Sequence, residues 1–298
     1  MILVVGATGL LGQEICRRVR ERGMPVRALV RPTANPERLN SLRETGVELF
    51  GGDLKNIDSV SAACHDVHTV VNAASSVFSR QAGDSVGRVD WDGSLSLVRF
   101  ARVLGVDRFV YITVPHELHC DCELFKAKND VIRELKYHAM PYTILSTNYF
   151  MEVWLSNTCE FDVMNGKVTI FGAGTSPVAW VSRSDVAEIA VRSLDSAATL
   201  NQDLNVGGPE NLSPLEVVRI FEEVSGQRYS VTHIPESRLE ADFRAAKDPS
   251  ERAIAAYKLE YARGCPMDMP ETLRRIPMEL TSVRTYAGRL LAPKTATA

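Results

Sequence analysis

A short apolar run leads directly into three closely spaced glycines at the start of the chain. The first five residues read MILVV, and GATGLLG follows at residues 6–12. The run has the length of a strand buried on both faces, and the next stretch, from Leu11 to Arg22, carries apolar residues at helical spacing. The sequence therefore predicts a strand, a glycine turn and a helix as the first unit of an α/β fold.

A strand-to-helix turn of this kind is typical of a dinucleotide site. Gly6 suits the tight bend, Gly9 lets backbone approach a pyrophosphate, and Gly12 permits close packing of the helix. Free N–H groups at the helix N-terminus favour phosphate oxygens. The alternative is a glycine turn that serves packing alone. The residues of the turn that we predict to bind a cofactor are Gly6, Thr8, Gly9, Leu10, Leu11 and Gly12.

The second predicted strand ends in a basic residue where the type of cofactor is selected. Arg31 lies 19 residues after Gly12, and no Asp or Glu stands between Val26 and Asn35. An acidic residue near this point holds the ribose of NAD, whereas an arginine suits the extra phosphate of NADP. The sequence predicts NADP(H), with a solvated arginine at a strand end as the alternative.

Strands and helices continue to alternate through the first half of the chain. Strands are predicted at 47–50, 69–74, 108–114 and from 142, with helices at 86–104 and 122–138 between them. This pattern predicts a doubly wound parallel sheet that binds ligands at the carboxyl ends of its strands. One of the residues at those ends, Asp53, could instead cap the next helix. The strand-end residues added to the predicted cofactor site are Asp53, Leu54, Ala73, Ala74 and Ser75.

Bulk properties exclude several classes of protein. The 298 residues can bury a large core, and a net charge of −3 gives no basic surface for nucleic acid. No apolar run approaches the roughly 20 residues of a membrane helix, and the first strand begins at Met1, so we expect no signal peptide and a cytoplasmic location. The six cysteines are scattered, as in reduced thiols rather than a disulfide framework.

A series of motifs resembles the NmrA-like group of atypical short-chain dehydrogenases. That group includes quinone reductases, isoflavone and benzylic ether reductases, and NADP-sensing regulators without turnover. The resemblance implies an NAD(P)-binding Rossmann-type fold with a smaller, mainly helical substrate lobe. The motifs are GATGLLGQ at 6–13, VRALVRP at 26–32, GGDL at 51–54, GVDRFVYIT at 105–113, KAKNDVIREL at 126–135, MPYTILSTNYFME at 140–152, GKVTIFGAGTSPVAWVSRSDVAEIAV at 166–191 and LNVGGPENLSPLEV at 204–217.

The usual catalytic pair of short-chain dehydrogenases is incomplete. In Tyr-x-x-x-Lys the lysine lowers the tyrosine pKa, but here Leu124 stands four residues before Lys128 and Cys122 four before Lys126. Setting MPYT at 140–143 against the family's IPYT places Lys128 on the lysine of the reductases. The resemblance implies that Lys128 holds ribose hydroxyls and stabilises negative charge, whereas Lys126 falls on another helix face. In the alternative, both are solvated lysines.

Other catalytic candidates follow the fifth and sixth strands. His116 could donate a proton at the nicotinamide rim, although it could also be merely exposed. Tyr149 and Asn148 stand where family members wall the nicotinamide pocket; Tyr149 is a further catalytic candidate and Asn148 a cofactor-binding one, with ordinary packing as the alternative. The segment from His116 to Cys122 lacks a second ligand pair, so no metal site is predicted.

The second half of the chain has the pattern of a lobe that selects substrate. We assign residues 1–150 to an NADP-binding domain, to which 178–208 return, and residues 151–177 and 209–298 to the substrate lobe. A helix is predicted from Phe150 to Met164, another is capped by Ser184, and Ser213 caps a third. The predicted apolar substrate cavity would be lined by Phe150, Met151, Trp154, Phe161 and Trp180.

These observations predict an NADPH-dependent oxidoreductase that reduces a small, largely apolar organic substrate by hydride transfer. Such an enzyme needs a small-molecule partner and neither nucleic acid nor membrane. The alternative from another class is a non-catalytic NADP(H)-sensing regulator, which would also need a protein partner. A third possibility is an isomerase or cyclase that retains bound NADP.

Overall fold

Strands and helices alternate along the chain in the computed structural model, which describes residues 1–79, 81–115 and 118–292. The strands are β1 (Ile2–Val5), β2 (Val26–Val30), β3 (Glu48–Gly51), β4 (Thr69–Asn72), β5 (Arg108–Thr113), β6 (Tyr142–Thr147), β7 (Tyr149–Phe150), β8 (Phe161–Asp162), β9 (Lys167–Phe171), β10 (Val178–Val181), β11 (Gln202–Val206), β12 (Asn211–Leu212) and β13 (Ser230–Ile234). The α-helices are α1 (Leu10–Glu21), α2 (Pro36–Glu44), α3 (Ile57–Ala63), α4 (Ser94–Val103), α5 (Glu123–Tyr137), α6 (Met151–Trp154), α7 (Arg183–Arg192), α8 (Pro214–Ser225), α9 (Glu236–Ala245), α10 (Pro249–Arg263), α11 (Pro270–Arg275) and α12 (Val283–Leu291).

Seven strands form one parallel sheet in the order β11-β6-β5-β4-β1-β2-β3. The chain winds outward from β1 in one direction and then, from β4, in the other. Such a reversal opens a crevice at the carboxyl ends of the two central strands, where α/β sheets bind ligands. The predicted Rossmann-type fold is therefore confirmed.

Helices cover both faces of this sheet. On one face α1 and α7 bury Ile15, Val19, Val186 and Ile189 against the strands. On the other face α3, α4 and α5 contribute apolar residues such as Leu97. Because both faces are covered, the strands themselves read as continuous apolar runs.

A three-stranded sheet of order β13-β9-β8 and helices α8 to α10 and α12 build the smaller lobe. A second three-stranded sheet, of order β12-β10-β7, combines short strands from both parts of the chain, and β11 returns the chain to the edge of the large sheet. An aromatic cluster fills the lobe, in which Trp154 stacks on Tyr261 with ring centroids 5.1 Å apart. Ring pairs of this kind add to the free energy gained by burial of their area.

The predicted helix from Phe150 to Met164 is wrong. Only α6 and a short 3-10 turn at 157–159 are helical, and Glu160 then adopts a left-handed conformation with φ of 59°. Phe150 pairs with Val181 across strands β7 and β10. The apolar spacing in this stretch therefore reflects packing between short strands rather than one helix face.

The caps of two helices test the local predictions. Ser182, not Ser184, caps α7 by accepting the Asp185 N–H at 3.3 Å, whereas the Ser184 hydroxyl accepts a hydrogen bond from Arg18 at 2.7 Å. Ser213 caps α8 as predicted and forms a full capping box with Glu216.

The described part of the chain contains no helix long and apolar enough to cross a membrane. It includes all six cysteines, which are buried and form no disulfide among themselves.

Candidate active site

The glycine turn has the geometry that its sequence predicts. Gly6 has a φ of +84°, which L side chains rarely adopt, and its carbonyl accepts the Gly9 N–H at 3.0 Å. A Cβ on Gly12 would lie 2.2 Å from the Gly6 carbonyl oxygen, so helix α1 can pack on the turn only without a side chain there. Helix α1 begins after Gly9 without any side-chain cap. Its N-terminus is therefore left to an external acceptor.

Two clefts meet at this turn. One is an apolar cleft of about 320 Å³ that reaches into the smaller lobe, and the other has about 370 Å³ and extends toward the ends of β2 and β3. We call them the nicotinamide cleft and the adenosine cleft, after the cofactor halves predicted to bind there. Both are lined by Gly6, Gly9, Ala73, Ala74, Ser75 and Phe78.

Charged side chains gather in the adenosine cleft. The Arg31 Nη1 atom lies 2.5 Å from Asp84 Oδ2, and Lys55 pairs with the other oxygen of Asp84. The Ser79 hydroxyl also donates to Asp84. Burial raises the pKa of Asp84, but the hydrogen bonds from Lys55, Ser79 and Arg31 outweigh it and lower the pKa to about 2. This carboxyl therefore stays ionised and neutralises part of a basic cluster.

The predicted adenosine-side residues all border this cleft. Thr8, Asp53 and Leu54 line it together with Arg31. Asp53 does not cap α3, because Asn56 does so by accepting the N–H groups of the second and third helical residues. The Asp53 carboxylate instead accepts the Lys55 N–H at 2.9 Å.

Lys128 lies in the wall of the nicotinamide cleft. It projects from α5, its side chain is 4% exposed, and its Nζ donates to the Ala74 carbonyl at 3.1 Å. Asp90 Oδ1 also lies 3.1 Å from Nζ, and the ring of Tyr111 has its centroid 5.4 Å away. Burial opposes the charged form, but Tyr111 and Asp90 outweigh it and raise the pKa of Lys128 above its ordinary value. A buried cation therefore borders an apolar cleft.

Tyr111 places a tyrosine beside Lys128, as the Tyr-x-x-x-Lys motif does, but Tyr111 lies on β5 rather than on the helix that carries the lysine. Burial raises the pKa of Tyr111 to about 12. Its side chain is fully buried and does not line either cleft. The pair therefore differs from Tyr-x-x-x-Lys, in which the phenol meets substrate directly.

Tyr149 and Asn148 form part of the nicotinamide cleft wall, and both use their polar groups internally. The Tyr149 hydroxyl donates to the Tyr257 carbonyl at 3.0 Å, and burial raises the pKa of Tyr149. The Asn148 amide donates to the Cys265 carbonyl at 2.9 Å. Because its hydroxyl is bonded internally, Tyr149 is suited to shaping the cleft wall. Its catalytic role stays a prediction.

The remaining candidates are placed as follows. Lys126 points outward, is 58% exposed, and pairs with Asp121 at 2.8 Å. Of the five predicted cavity residues, Phe150 and Trp154 line the nicotinamide cleft, whereas Met151, Phe161 and Trp180 are buried in the core. His116 lies outside the described residues. No group of metal-binding side chains occurs in the described ranges.

Several residues of the clefts are missing from the sequence predictions. Asp84 lines the adenosine cleft just before a π-helix at 86–93, and Tyr257 on the distant α10 lines the nicotinamide cleft. Asp90, on the π-helix, lies behind the cleft wall beside Lys128. All three reach the site only through tertiary contacts, so no local motif marks them. The one available signal is the pair of acidic residues in a segment that leads into a helix after β4.

Comparison with known proteins places the chain in the NmrA-like family, whose pattern it matches over residues 1–260. The chain belongs to this family, and the resemblance seen in its motifs is confirmed.

Its relatives have different kinds of names. One is the photosystem II assembly factor Ycf39 of Synechocystis sp., 26% identical over 297 residues that cover 96% of this chain and 89% of that protein. Another is the isoflavone reductase of Pisum sativum, 26% identical over 294 residues that cover 88% of this chain and 87% of that protein. The chain spans 59% of the length of a chloroplastic relative from Arabidopsis thaliana, to which it is 27% identical.

A solved structure of similar fold is the NADPH-dependent quinone oxidoreductase of Escherichia coli in complex with NADPH. The two share a TM-score of 0.78 at 19% identity, over 97% of this chain and 99% of that one. This likeness shows the common fold.

Proposed function

We propose that this protein is an NADPH-dependent oxidoreductase that reduces a small, largely apolar organic substrate. The observation that carries the proposal is the cation of Lys128, which is held at the wall of an apolar cleft that begins at the glycine turn. An apolar cleft with a few polar groups is the usual form of a small-molecule site. Membership of the NmrA-like family, which includes NADP(H)-linked reductases, is consistent with the oxidoreductase proposal.

The clefts fit NADP(H) on structural grounds. The uncapped start of α1 and the space kept free by Gly12 suit a pyrophosphate, and Arg31 suits an additional phosphate. Asp53 and Leu54 would border the adenosine, and the strip Ala73–Ser75 would lie along the dinucleotide. When bound, the nicotinamide supplies hydride chemistry.

The chain's own residues then bind, orient and exclude water. Lys128 offers an ammonium to ribose hydroxyls or to negative charge that develops on the substrate, and such a charge is worth more in a dry cleft than in water. Phe150 and Trp154 exclude water from the same cleft. The hydroxyl of Tyr149 is held by a main-chain carbonyl, so a proton would come from His116 or solvent.

Turnover of a substrate panel tests the proposal. NADPH oxidation is followed at the nicotinamide absorbance band with quinones, enones and aryl ethers, and the same panel is run with NADH. We expect oxidation of NADPH by at least one class. Saturable NADPH binding without turnover by any class would contradict the oxidoreductase proposal.

A second candidate function is favoured by the name of one relative. Ycf39 of Synechocystis sp. is an assembly factor, and the tyrosine beside Lys128, Tyr111, is buried and lines neither cleft. In this reading the protein senses NADP(H) and contacts a protein partner. Partner binding that changes between NADP⁺-loaded and cofactor-free protein, with no turnover, would favour it.

We also propose the division into domains and the location. The cofactor domain comprises 1–150 and 178–208, and the substrate lobe comprises 151–177 and 209–298. A cytoplasmic location is also proposed, and cell fractionation tests it.

A further inference from the structure

We propose that Asp90 is the positioning residue of this site, holding the Lys128 ammonium at the wall of the nicotinamide cleft. The proposal rests on the oxidoreductase function proposed above. The observation behind the proposal is an ion pair closed off from solvent, which we call the sealed pair. The Lys128 side chain is 4% exposed, the Asp90 side chain is 0% exposed, and Nζ lies 3.1 Å from Oδ1.

Asp90 is itself held firmly. Its Oδ2 atom accepts the Ser76 N–H at 2.9 Å and the Ser76 hydroxyl at 2.6 Å. Ser76 directly follows the Ala73–Ser75 strip that lines both clefts. Asp90 therefore joins that strip to the π-helix and, through Lys128, to α5. A side chain locked by packing and hydrogen bonds can hold its neighbour to the tolerance that catalysis needs.

The contact with Lys128 leaves the ammonium open to a ligand. Oδ1 of Asp90 is buried and lies 3.1 Å from Nζ, so one N–H of the ammonium is directed at the carboxylate. Another N–H of the ammonium goes to the Ala74 carbonyl. An ammonium carries three N–H groups, so the Ala74 carbonyl and Asp90 leave a third, near the Tyr111 hydroxyl, that can turn to a ligand in the cleft.

The groups that face Lys128 come from three elements. Asp90 on the π-helix and Tyr111 on β5 interact with Lys128 directly, and Tyr257 on α10 lines the same cleft and interacts with Asp90 and Tyr111. Helix α4 contributes Arg99 only to the far end of α5, where it pairs with Glu134. Among these groups Asp90 is the carboxylate beside the amine. Removing its charge leaves burial to favour the neutral amine.

Stability alone is a weak reason for such a pair. Removing two charges from water costs about as much as their attraction returns, so apolar residues of similar size often serve a core equally well. The position of this pair at the cleft wall is what an active-site role requires.

The first test measures the Lys128 ammonium in the full chain without substrate. Nitrogen-15 NMR titration, assigned from the signal lost in Lys128→Met, reports its pKa in the native protein and in Asp90→Asn. We expect a lower pKa in Asp90→Asn. The matched control is Asp121→Asn, which removes the partner of exposed Lys126 and should leave the Lys128 signal unchanged. An unchanged pKa in Asp90→Asn overturns the proposal, whether or not the protein turns over.

The second test measures single-turnover hydride transfer against pH. Asp90→Asn should lower the rate about 10- to 100-fold, because a misplacement of about 1 Å in a catalytic geometry can cost on the order of 10² in rate, and the rate should fall further as pH rises through the lowered pKa. NADPH affinity should change little. Ser76→Ala, a milder change, should shift the rate in the same direction by less, and it keeps the test open if Asp90→Asn does not fold.

A double-mutant cycle separates positioning from a structural role. If Asp90 acts through Lys128, Asp90→Asn should cost almost nothing further in a Lys128→Met background. An equal loss of rate in both backgrounds would overturn the proposal. A native protein that binds NADPH but reduces nothing contradicts the proposed function instead, and the NMR titration then decides the role of Asp90.

Discussion

The adenosine cleft and the nicotinamide cleft, which meet at the glycine turn, hold acidic and basic side chains in different ways. In the adenosine cleft, Arg31 and Lys55 share Asp84, and their side chains are 27% and 11% exposed. In the nicotinamide cleft, one lysine and one carboxylate form a sealed pair among apolar groups. A partly solvated basic cluster selects ligands by charge, whereas a sealed cation supports chemistry. Variants at the two ends should therefore affect binding and rate separately.

The largest expected effect lies at the nicotinamide end. Lys128→Ala should lower the hydride-transfer rate by a factor on the order of 10²–10³ with little change in NADPH affinity, because an electrostatic contact made in the transition state is lost. Single-turnover kinetics and calorimetry measure the two quantities. Lys126→Ala on the outer face is the matched control and should behave as native. Normal turnover in Lys128→Ala would remove the distinction between the two ends.

The next effect lies at the adenosine end and concerns affinity. Arg31→Ala should weaken NADPH binding roughly 10- to 150-fold, equivalent to about 1.5–3 kcal/mol for a charge-assisted contact, and leave NADH binding almost unchanged. Titration calorimetry with both cofactors measures this difference. Equal affinities for NADPH and NADH in the native protein would contradict the assignment of Arg31.

The sequence predicts the parts of this comparison that depend on local pattern. The glycine turn, the strand ends and Arg31 follow from residue spacing, and the family motifs select Lys128 over Lys126. Asp84 and Asp90 are not predictable in this way, because their basic partners lie on other elements far along the chain. The helix predicted from Phe150 fails for a related reason, since its apolar residues pack on strands that the local pattern does not reveal.

Acid should weaken the adenosine-end cluster. The Asp84 carboxyl has a pKa of about 2 in the folded protein, below the roughly 3.9 of an unfolded chain, so its contribution is present above about pH 4 and lost as pH falls toward about 2. This difference in pKa corresponds to about 2.5 kcal/mol.

Urea unfolding of Asp84→Asn tests this contribution. The variant should be less stable than native protein by about 2.5 kcal/mol at pH 7, and the difference should shrink below about pH 4. Asp121→Asn, whose carboxylate is 75% exposed, is the control and should change stability little because solvent screens its ion pair. A difference that is constant with pH would show that the basic cluster does not depend on the charge of Asp84.

The smallest effect concerns a buried carboxylate that is held by main-chain N–H groups. Glu260, 2% exposed on α10, accepts the N–H groups of His119 and Cys120 on one oxygen, at 2.9 and 2.6 Å. Glu260→Gln keeps an oxygen in place and loses only the charge assistance, so it should cost about 1 kcal/mol of unfolding free energy. Amide hydrogen exchange at His119 and Cys120 should quicken, while NADPH affinity stays unchanged. If Glu260→Gln instead lowered the hydride-transfer rate as much as Asp90→Asn, loss of any buried carboxylate near the cleft would slow the reaction. That outcome would contradict a specific role for the Asp90–Lys128 pair.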